Sequence, residues 1–285
     1  MFGNAICFET DERQRYLSEY LPGRKRQLCY ESLQIPSFVE QMKEADVIIL
    51  PTPVAKLDQT PLIKELMAEY LKDWKGIVFG GKIEEDWQEL LENNHIIFYD
   101  FLKDESVALA NAYVTAEATL SILLQRGKYC IREQKIVITG FGRCARELAR
   151  LLHSLGAYVC ILARSSVARN RARELGYEAM DFSYGPEEIT GAHILVNTVP
   201  YPVITEPMAK AMKEDFLYVD IASQPGGMKE EEKERCKGAI YHELALPSRF
   251  LTGSSGKILA DMVMNRCRLL EGKGEKNTWI LEILL

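Results

Sequence analysis

A glycine-rich segment is the strongest chemical feature of the sequence. An apolar run ending at Thr139 is followed by Gly140-Phe141-Gly142-Arg143-Cys144-Ala145, a Gly-x-Gly-x-x-Ala pattern, and then by an amphipathic run. The first glycine of such a pattern permits a tight turn, the second lets the backbone approach a pyrophosphate, and the small third residue lets the helix pack closely on the strand. The helix N-terminus then offers N–H groups to the phosphates. The segment predicts a dinucleotide site, and the alternative is a glycine-rich turn that binds nothing.

The residues after the next predicted strand distinguish between the two nicotinamide cofactors. A carboxylate about 20 residues beyond the glycines is typical of NAD sites. Here the strand is followed by Arg164, Ser165 and Ser166, and an arginine with neighbouring hydroxyls suits the 2′-phosphate of NADP. We therefore expect NADP, with NAD as the alternative. Arg164 would in the simpler case stack on the adenine or face solvent.

Two later strand ends carry polar residues at the sheet edge where open α/β folds hold ligands. The predicted cofactor contacts there are Asn197, Thr198, Val199, Pro200, Asp220, Ala222 and Ser223. The simpler alternative is that Asn197 shapes a turn and Asp220 caps the loop that follows it. Cys144 is at a predicted helix N-terminus, which lowers the pKa of a thiol, although a structural role is the better interpretation.

The bulk composition is typical of a globular protein with one or two domains. Among 285 residues, 35 Lys and Arg stand against 41 Asp and Glu, for a net charge of −6, and 47% are hydrophobic. This balance argues against broad nucleic-acid binding, which needs a basic face. Seven cysteines with no C-x-x-C spacing argue against a metal site or a disulfide scaffold and favour the cytoplasm. We expect no signal peptide and no membrane span.

Strands and helices alternate along the sequence, which predicts an α/β fold of two Rossmann-like, doubly wound parallel-sheet domains. An apolar-striped segment from Asp104 to about Gly127, without Gly or Pro until its end, predicts a long interdomain helix. The expected domains are 1–112, joined by a returning helix from 253–285, and 113–252. Predicted strands are Ala5–Phe8, Val47–Leu50, Gly76–Gly80, His95–Tyr99, Ile136–Thr139, Tyr158–Leu162, Glu178–Phe182, His193–Thr198, Phe216–Ala222 and Ala239–Leu244.

These motifs, in this order, resemble the family of dipicolinate synthase A subunits. The resemblance is carried by Tyr99-Asp100, by Asn111-Ala-Tyr-Val-Thr-Ala-Glu117-Ala, by Thr139–Arg143, by Leu162–Arg164, by Asn197–Pro200 and by Asp220–Gly227. The opening segment and residues 245–260 differ from the sequence pattern of the family. The resemblance implies NAD(P)-linked oxidation of a dihydropyridine dicarboxylate to the dipicolinate of spores. It also implies that the chain acts with a flavoprotein-like B subunit.

Candidate residues for substrate and proton transfer follow from their positions. Ser254, Ser255 and Lys257 open a predicted helix and could hold a carboxylate, or form an ordinary N-cap. Thr52 follows a predicted strand and is expected to face an interdomain cleft. Asn111 and Glu117 belong to the long helix but do not strictly share a face, and Glu117 is a candidate base or a partnered structural residue. His242, near a late strand end, is a candidate proton carrier.

Two other functional classes stay open at this point. One is a different NADP reductase, similar to shikimate dehydrogenase or to 2-hydroxyacid dehydrogenases, although a 2-hydroxyacid His–Glu/Arg set cannot be assembled here. The other is a nucleotide-binding subunit that catalyses nothing alone. The apolar segment Trp279–Leu285 predicts a partner or homodimer contact, or a return onto its own core.

Overall fold

The computed structural model describes residues 4–23, 25–29, 44–59 and 61–272 of the chain. The chain divides into two compact units, the first of residues 1–111 with 251–285 and the second of residues 112–250. Each unit contains one parallel β-sheet with helices along it. The predicted α/β fold with two doubly wound parallel sheets is therefore confirmed. The segment Trp279–Leu285 lies outside the described residues.

The sheet of the first unit has the strand order β2-β1-β3-β4-β5, and every pair is parallel. Its strands are β1 (Asn4–Glu9), β2 (Lys25–Cys29), β3 (Ala45–Ile49), β4 (Ile77–Gly80) and β5 (Ile97–Asp100). Its helices are α1 (Glu12–Tyr20), α2 (Pro61–Tyr70), α3 (Glu85–Asn93), the start of α4 (Glu105–Arg126) and, near the C-terminus, α11 (Thr252–Gly272). The strand order reverses between β1 and β3, and this reversal is where open α/β sheets bind ligands.

Strand β2 was not predicted from the sequence. It begins Lys25-Arg26-Gln27, and among the described strands it pairs with β1 alone, at the edge of the sheet. Polar and charged residues are typical of edge strands, because they oppose pairing with another chain. The apolar patterns used for prediction describe buried strands and therefore do not detect such a strand.

Alternate side chains of β1 pack into two different cores, one on each face of the sheet. Ile6 and Phe8 join one cluster, while Ala5 and Cys7 join another that includes Leu259 and Val263 of α11. The period of two places successive residues on opposite faces. Helix α11 crosses α1 at Gly256, where a Cβ atom would lie only 2.7 Å from the Arg13 carbonyl oxygen.

The sheet of the second unit has the order β11-β10-β9-β6-β7-β8, again with only parallel pairs. Its strands are β6 (Lys135–Thr139), β7 (Tyr158–Leu162), β8 (Glu178–Met180), β9 (Ile194–Asn197), β10 (Leu217–Asp220) and β11 (Ala239–His242). Its helices are the rest of α4, α5 (Arg143–Ser154), α6 (Ser166–Glu174), α7 (Gly185–Thr190), α8 (Glu206–Ala211), α9 (Glu230–Arg235) and α10 (Leu246–Arg249). Counted from β6, this is the order 3-2-1-4-5-6 of dinucleotide-binding domains, with its reversal between β6 and β9.

Helix α4 contains residues of both units. By length and composition it is apolar enough to cross a membrane, but half of its most apolar stretch is buried inside the protein. Core helices with several buried faces have the same composition. Its most buried residues include Ala116, Ala118, Ile122 and Leu123, which belong to the core of the second unit.

Candidate functional site

The turn after β6 is held in a conformation that suits glycine. Gly140 has φ +81, in the left-handed region, and a Cβ there would lie 2.9 Å from both Thr198 Oγ1 and Val199 Cγ2. Its N–H donates to the Leu162 carbonyl oxygen at 2.8 Å. The turn is thus fastened between the end of β7 and the loop after β9. Residues 198–200 are accordingly brought next to the glycine loop, with Pro200 exposed.

Gly142 stands at the open N-terminus of α5. It is the N-cap residue with φ −76, no side chain caps the first turn, and a Cβ at this position would meet nothing within 4 Å. Neither fold nor packing therefore requires glycine here, whereas a ligand that approaches the backbone does. Ala145 is fully buried where the helix packs on the sheet. The arrangement fits a pyrophosphate held by the N–H groups of the first helical turn.

The other residues of the glycine loop differ in environment. Phe141 is half-buried with its ring centroid 6.2 Å from that of Tyr177, and Arg143 is exposed. Burial raises the pKa of the Cys144 thiol, and it outweighs the hydrogen bond with Thr115 and the charge of Arg143, which lower it. Burial therefore also outweighs the lowering effect that is expected of the helix N-terminus. A protonated, partly buried thiol fits the structural role.

Arg164 extends into solvent just beyond the end of β7. Its side chain makes no hydrogen bond or ion pair with any of the described residues, and only its carbonyl oxygen is engaged, by Arg169 Nη1 at 2.7 Å. Ser165 is the N-cap of α6, and its Oγ accepts from the Ala168 N–H at 3.4 Å. Ser166, the first residue of α6, is exposed. The loop presents one unengaged guanidinium and two hydroxyls at the place where the ribose 2′-substituent is read.

Arg169 positions this loop. Its Nη1 donates to the carbonyl oxygens of Ala163 and Arg164 and to Asp181 Oδ2, each at 2.7 Å. A guanidinium shared among three acceptors restrains the backbone around Arg164. Asp181 is paired in this way and follows the neighbouring strand, β8, so it does not replace the carboxylate that is absent after β7.

A buried polar network joins the ends of β6, β9 and β10 at the strand-order reversal. Thr139 Oγ1 donates to Asn197 Oδ1, and Asn197 Nδ2 donates to Asp220 Oδ1 at 2.8 Å. Asn197 and Asp220 are 0% and 4% exposed. These contacts match the roles of turn-shaping and loop-capping, and a direct contact of either side chain with a cofactor stays a prediction. Thr139 was not among the predicted site residues, although it immediately precedes the first glycine.

Asp220 also closes the loop that follows β10. Its Oδ1 accepts from the Ala222 N–H at 3.0 Å, while its Oδ2 accepts from Tyr218 OH at 2.8 Å and from the Gly227 N–H at 2.7 Å. Gly227 packs on the Asn197 amide so closely that a Cβ would lie 2.4 Å from it. Burial and the Asp220 carboxylate both raise the pKa of Tyr218, so this phenol stays protonated and donating.

The closed loop leaves Ser223 exposed and places Ala222 beside His242. His242 lies at the end of β11, half-buried, with Nε2 3.3 Å from the Ala222 carbonyl oxygen. A neutral ring that donates from Nε2 keeps Nδ1 as a proton acceptor. The predicted proton carrier therefore lies at the same edge of the sheet as the glycine loop.

The two predicted catalytic residues in helix α4 differ from each other in burial. Glu117 is exposed, and Asn111 is half-buried. They are assigned to different units, because the division passes between Asn111 and Ala112. A catalytic role for either stays a prediction.

The predicted carboxylate holder at the start of α11 is largely engaged within the first unit. Ser255 is fully buried, Lys257 Nζ bonds Asp261 Oδ2 at 2.7 Å, and Thr252 Oγ1 donates to Glu12 Oε2 at 3.0 Å. Ser254 is exposed. The nearby Glu12 carboxylate opposes a second anion here. Ser254 and Ser255 lie within the first turn of α11 and not at its N-cap, and the buried Ser255 Oγ has no hydrogen-bond partner among the described residues. Carboxylate binding by these residues stays a prediction.

Thr52, the other predicted substrate contact, follows β3. Its hydroxyl packs against Gly81, where a Cβ would lie 2.3 Å from Oγ1. The hydroxyl oxygen is buried and has no hydrogen-bond partner among the described residues. Its contact with a substrate stays a prediction.

Among the described residues, one group has the composition of a metal site: Cys160, Glu178 and Glu188. Lys135 Nζ lies 2.6 Å from Glu188 Oε2 and 3.4 Å from Glu178 Oε2. The ammonium neutralises these carboxylates, and burial raises the pKa of the Cys160 thiol, which disfavours the thiolate that metals bind. The group is an ion-pair cluster at the opposite strand ends from the glycine loop.

Comparison with known proteins identifies relatives in both sequence and fold. No family model matches the chain. A curated relative, the A subunit of dipicolinate synthase from Bacillus subtilis (strain 168), is 29% identical over 161 residues, which are 56% of this chain and 54% of the relative. The matched segment thus spans only about half the length of that protein.

Solved structures match over a longer range. The A subunit of dipicolinate synthase from Bacillus halodurans has a TM-score of 0.76 at 20% identity and covers 92% of this chain and 97% of its own. A transhydrogenase from Sinorhizobium meliloti has a TM-score of 0.66 at 13% identity, with 94% and 93% covered. These likenesses support the two-sheet fold described above. In sequence and in fold, the chain is similar to the A subunit of dipicolinate synthase.

Proposed function

We propose that this protein is an NAD(P)-dependent oxidoreductase that uses NADP, with NAD as the alternative, and forms dipicolinate during sporulation. The substrate would be a dihydrodipicolinate-type dicarboxylate. One observation carries the cofactor part: Gly142 leaves open space over the N-terminus of α5, at the strand-order reversal of a dinucleotide-type sheet. The likeness to the A subunit of dipicolinate synthase supports the reaction.

The preference for NADP follows from the loop after β7. Arg164 is exposed and unpaired among the described residues, and the loop lacks the carboxylate that would accept from a ribose 2′-hydroxyl. Arg169 holds the backbone beneath Arg164 in place. A guanidinium on a restrained loop suits the two charges of a 2′-phosphate.

The bound nicotinamide supplies a hydride acceptor, while the dihydropyridine ring also loses a proton and becomes aromatic. Because aromatisation favours the product, the chain's residues mainly position the reactants and take up the proton. The network of Thr139, Asn197 and Asp220 fixes the loops beside the nicotinamide end of the site. Glu117 and His242 are the candidate proton acceptors, and Asn111, whose amide does not take up a proton, is the third candidate catalytic residue.

We assign residues 113–252 to the cofactor domain and residues 1–112 with 253–285 to the substrate side. The protein is expected to act in the cytoplasm, as a homodimer, and together with a flavoprotein-like B subunit. These proposals rest on the likeness to the A subunit of dipicolinate synthase and on the apolar C-terminal segment.

The decisive experiment mixes the chain, such a B subunit, NADP and a freshly generated dihydrodipicolinate-type precursor. Formation of a pyridine dicarboxylate, followed by its ultraviolet absorbance and by reduction of NADP, is the expected result. Gly142→Ser in the same mixture is the matched control and should slow the reaction when NADP is limiting. The proposal is refuted if no pyridine product forms in any of three mixtures, which contain this chain alone, the B subunit alone, or both.

The same preparations distinguish the two other classes. Oxidation of NADPH with dehydroshikimate or with a 2-keto acid would reassign the protein to a reductase of another kind. Tight NADPH binding without turnover in any combination would identify a nucleotide-binding subunit without catalysis.

A further inference from the structure

We propose that Arg13 and Lys56 form a carboxylate-binding subsite at the strand-order reversal of the first sheet. Arg13 is in the first turn of α1, directly after β1, and Lys56 is in the 3-10 turn Val54–Gln59 that follows β3. The reversal of the β2-β1-β3-β4-β5 order lies between these two strands. Open α/β sheets bind ligands outside the carboxyl ends of strands at this point.

Arg13 is buried, and few polar contacts compensate for the burial of its charge. The residue is 6% exposed, and its Nε is buried without a hydrogen-bond partner among the described residues. Its one ion pair is with Asp11 Oδ2 at 3.6 Å. Burial lowers its pKa, and the Asp11 charge only partly opposes this effect. Buried guanidinium groups are normally hydrogen-bonded, so this one has donors to spare for an anion.

Lys56 approaches the same carboxylate oxygen from the other strand end. Its Nζ lies 3.3 Å from Asp11 Oδ2 and 3.1 Å from Thr10 Oγ1. Asp11 is the only carboxylate ion-paired with either cation among the described residues. Two cations therefore share one carboxylate, and both keep hydrogen-bond donors for a further anion.

Gln14 joins the two loops that carry this subsite. Its Nε2 donates to the Leu50 carbonyl oxygen at 2.9 Å, while its Oε1 accepts from Thr10 Oγ1 at 2.6 Å. The loops after β1 and β3 are thus tied together before any ligand arrives. A preorganised site loses less conformational entropy on binding.

A planar carboxylate is the anion that this chemistry fits best. A guanidinium forms two parallel hydrogen bonds with a carboxylate, and an ammonium adds a point charge. The inference rests on the proposed function only for the identity of the anion, a pyridine dicarboxylate.

Isothermal titration of the full chain with pyridine-2,6-dicarboxylate tests the subsite. We expect Arg13→Met and Lys56→Met each to weaken binding about 10- to 100-fold, as the loss of charge-assisted hydrogen bonds would. Arg13→Lys should retain part of the affinity. Arg15→Met is the matched control on the same helix, because Arg15 is exposed and bonds Glu12, and it should bind as the unaltered chain does. NADPH affinity, measured in parallel, should not change in any variant.

The outcomes separate the subsite from the proposed reaction. Unchanged dicarboxylate binding in Arg13→Met and Lys56→Met would overturn the subsite, as would the absence of binding of any probe to the unaltered chain. If Arg13→Met does not fold, Lys56→Met decides the matter alone. Glutarate serves as a second probe: if it binds through Arg13 and the pyridine dicarboxylate does not, the subsite stands while the proposed reaction fails.

Discussion

Replacing Gly142 by serine separates cofactor binding from folding. Gly142 has φ −76 and ψ −168, which any residue adopts, and a Cβ there meets no atom within 4 Å. Serine is moreover a favoured N-cap residue, and no side chain caps α5 at present. We therefore expect the free energy of unfolding to stay the same or to rise by about 0.5 kcal/mol.

The same side chain would occupy the space through which a pyrophosphate approaches the helix. Inserting extra atoms into a filled contact costs about 1–3 kcal/mol, which corresponds to roughly 5- to 150-fold weaker binding. Fluorescence titration with NADPH measures this loss. Urea unfolding followed by far-UV circular dichroism measures stability on the same samples.

Gly140→Ser is the matched comparison two residues away. Its φ of +81 strains a serine, and the added Cβ would lie 2.9 Å from Thr198 Oγ1 and Val199 Cγ2. We expect this variant to lose about 1–3 kcal/mol of stability. The reasoning is refuted if folded Gly142→Ser binds NADPH within twofold of the unaltered chain, or if both serine variants are equally destabilised.

Three further predictions concern single charged residues. Arg164→Met should weaken NADPH binding about tenfold, the value of one exposed charge-assisted bond, and leave NADH binding unchanged; equal losses for both cofactors would contradict the assignment. Asp220→Asn should lower the free energy of unfolding, measured with urea, by about 2–5 kcal/mol, because an amide cannot accept all four buried hydrogen bonds. The control is Asp215→Asn at a partly exposed position, which should lower it by less than about 0.5 kcal/mol. Burial raises the pKa of Asp104, but hydrogen bonds from Ser106 and Arg266 bring it to about 2, so about 2 kcal/mol of stability present above about pH 4 should disappear as the pH falls to about 2. Asp104→Asn should remove that pH dependence, and an unaltered acid-unfolding profile would argue against the ion pair.

The strands and helices that could be predicted are those with strong periodic patterns. The predicted strand Tyr158–Leu162 has the same bounds in the structure, and the amphipathic run after the glycines forms the helix Arg143–Ser154. Some predicted strands ran too long. The predicted strand Phe216–Ala222 is Leu217–Asp220 in the structure, because the Asp220 side chain accepts from the Ala222 N–H and the chain turns directly after Asp220. The short helices α7, α9 and α10 have too few turns to show a period of 3.6 residues.

The sequence by itself predicted the glycine loop, because its Gly-x-Gly-x-x-Ala pattern is contiguous and lies between an apolar run and an amphipathic run. The class of fold likewise followed from the alternation of apolar strands and amphipathic helices, which is also local. The contacts of Gly140 with Leu162, Thr198 and Val199 and the open space at Gly142 are, in contrast, properties of the tertiary structure.

Only the tertiary structure decided which polar side chains already form hydrogen bonds or ion pairs within the protein and which have donors or acceptors left for a ligand. Asn197 and Asp220 are 23 positions apart, yet they bond each other because parallel neighbouring strands bring their ends to one edge. Arg13 and Lys56 converge on one carboxylate oxygen for the same reason, although nothing in their spacing indicates it. Hydrogen-bond satisfaction depends on residues distant in the chain, and a sequence pattern describes only neighbours.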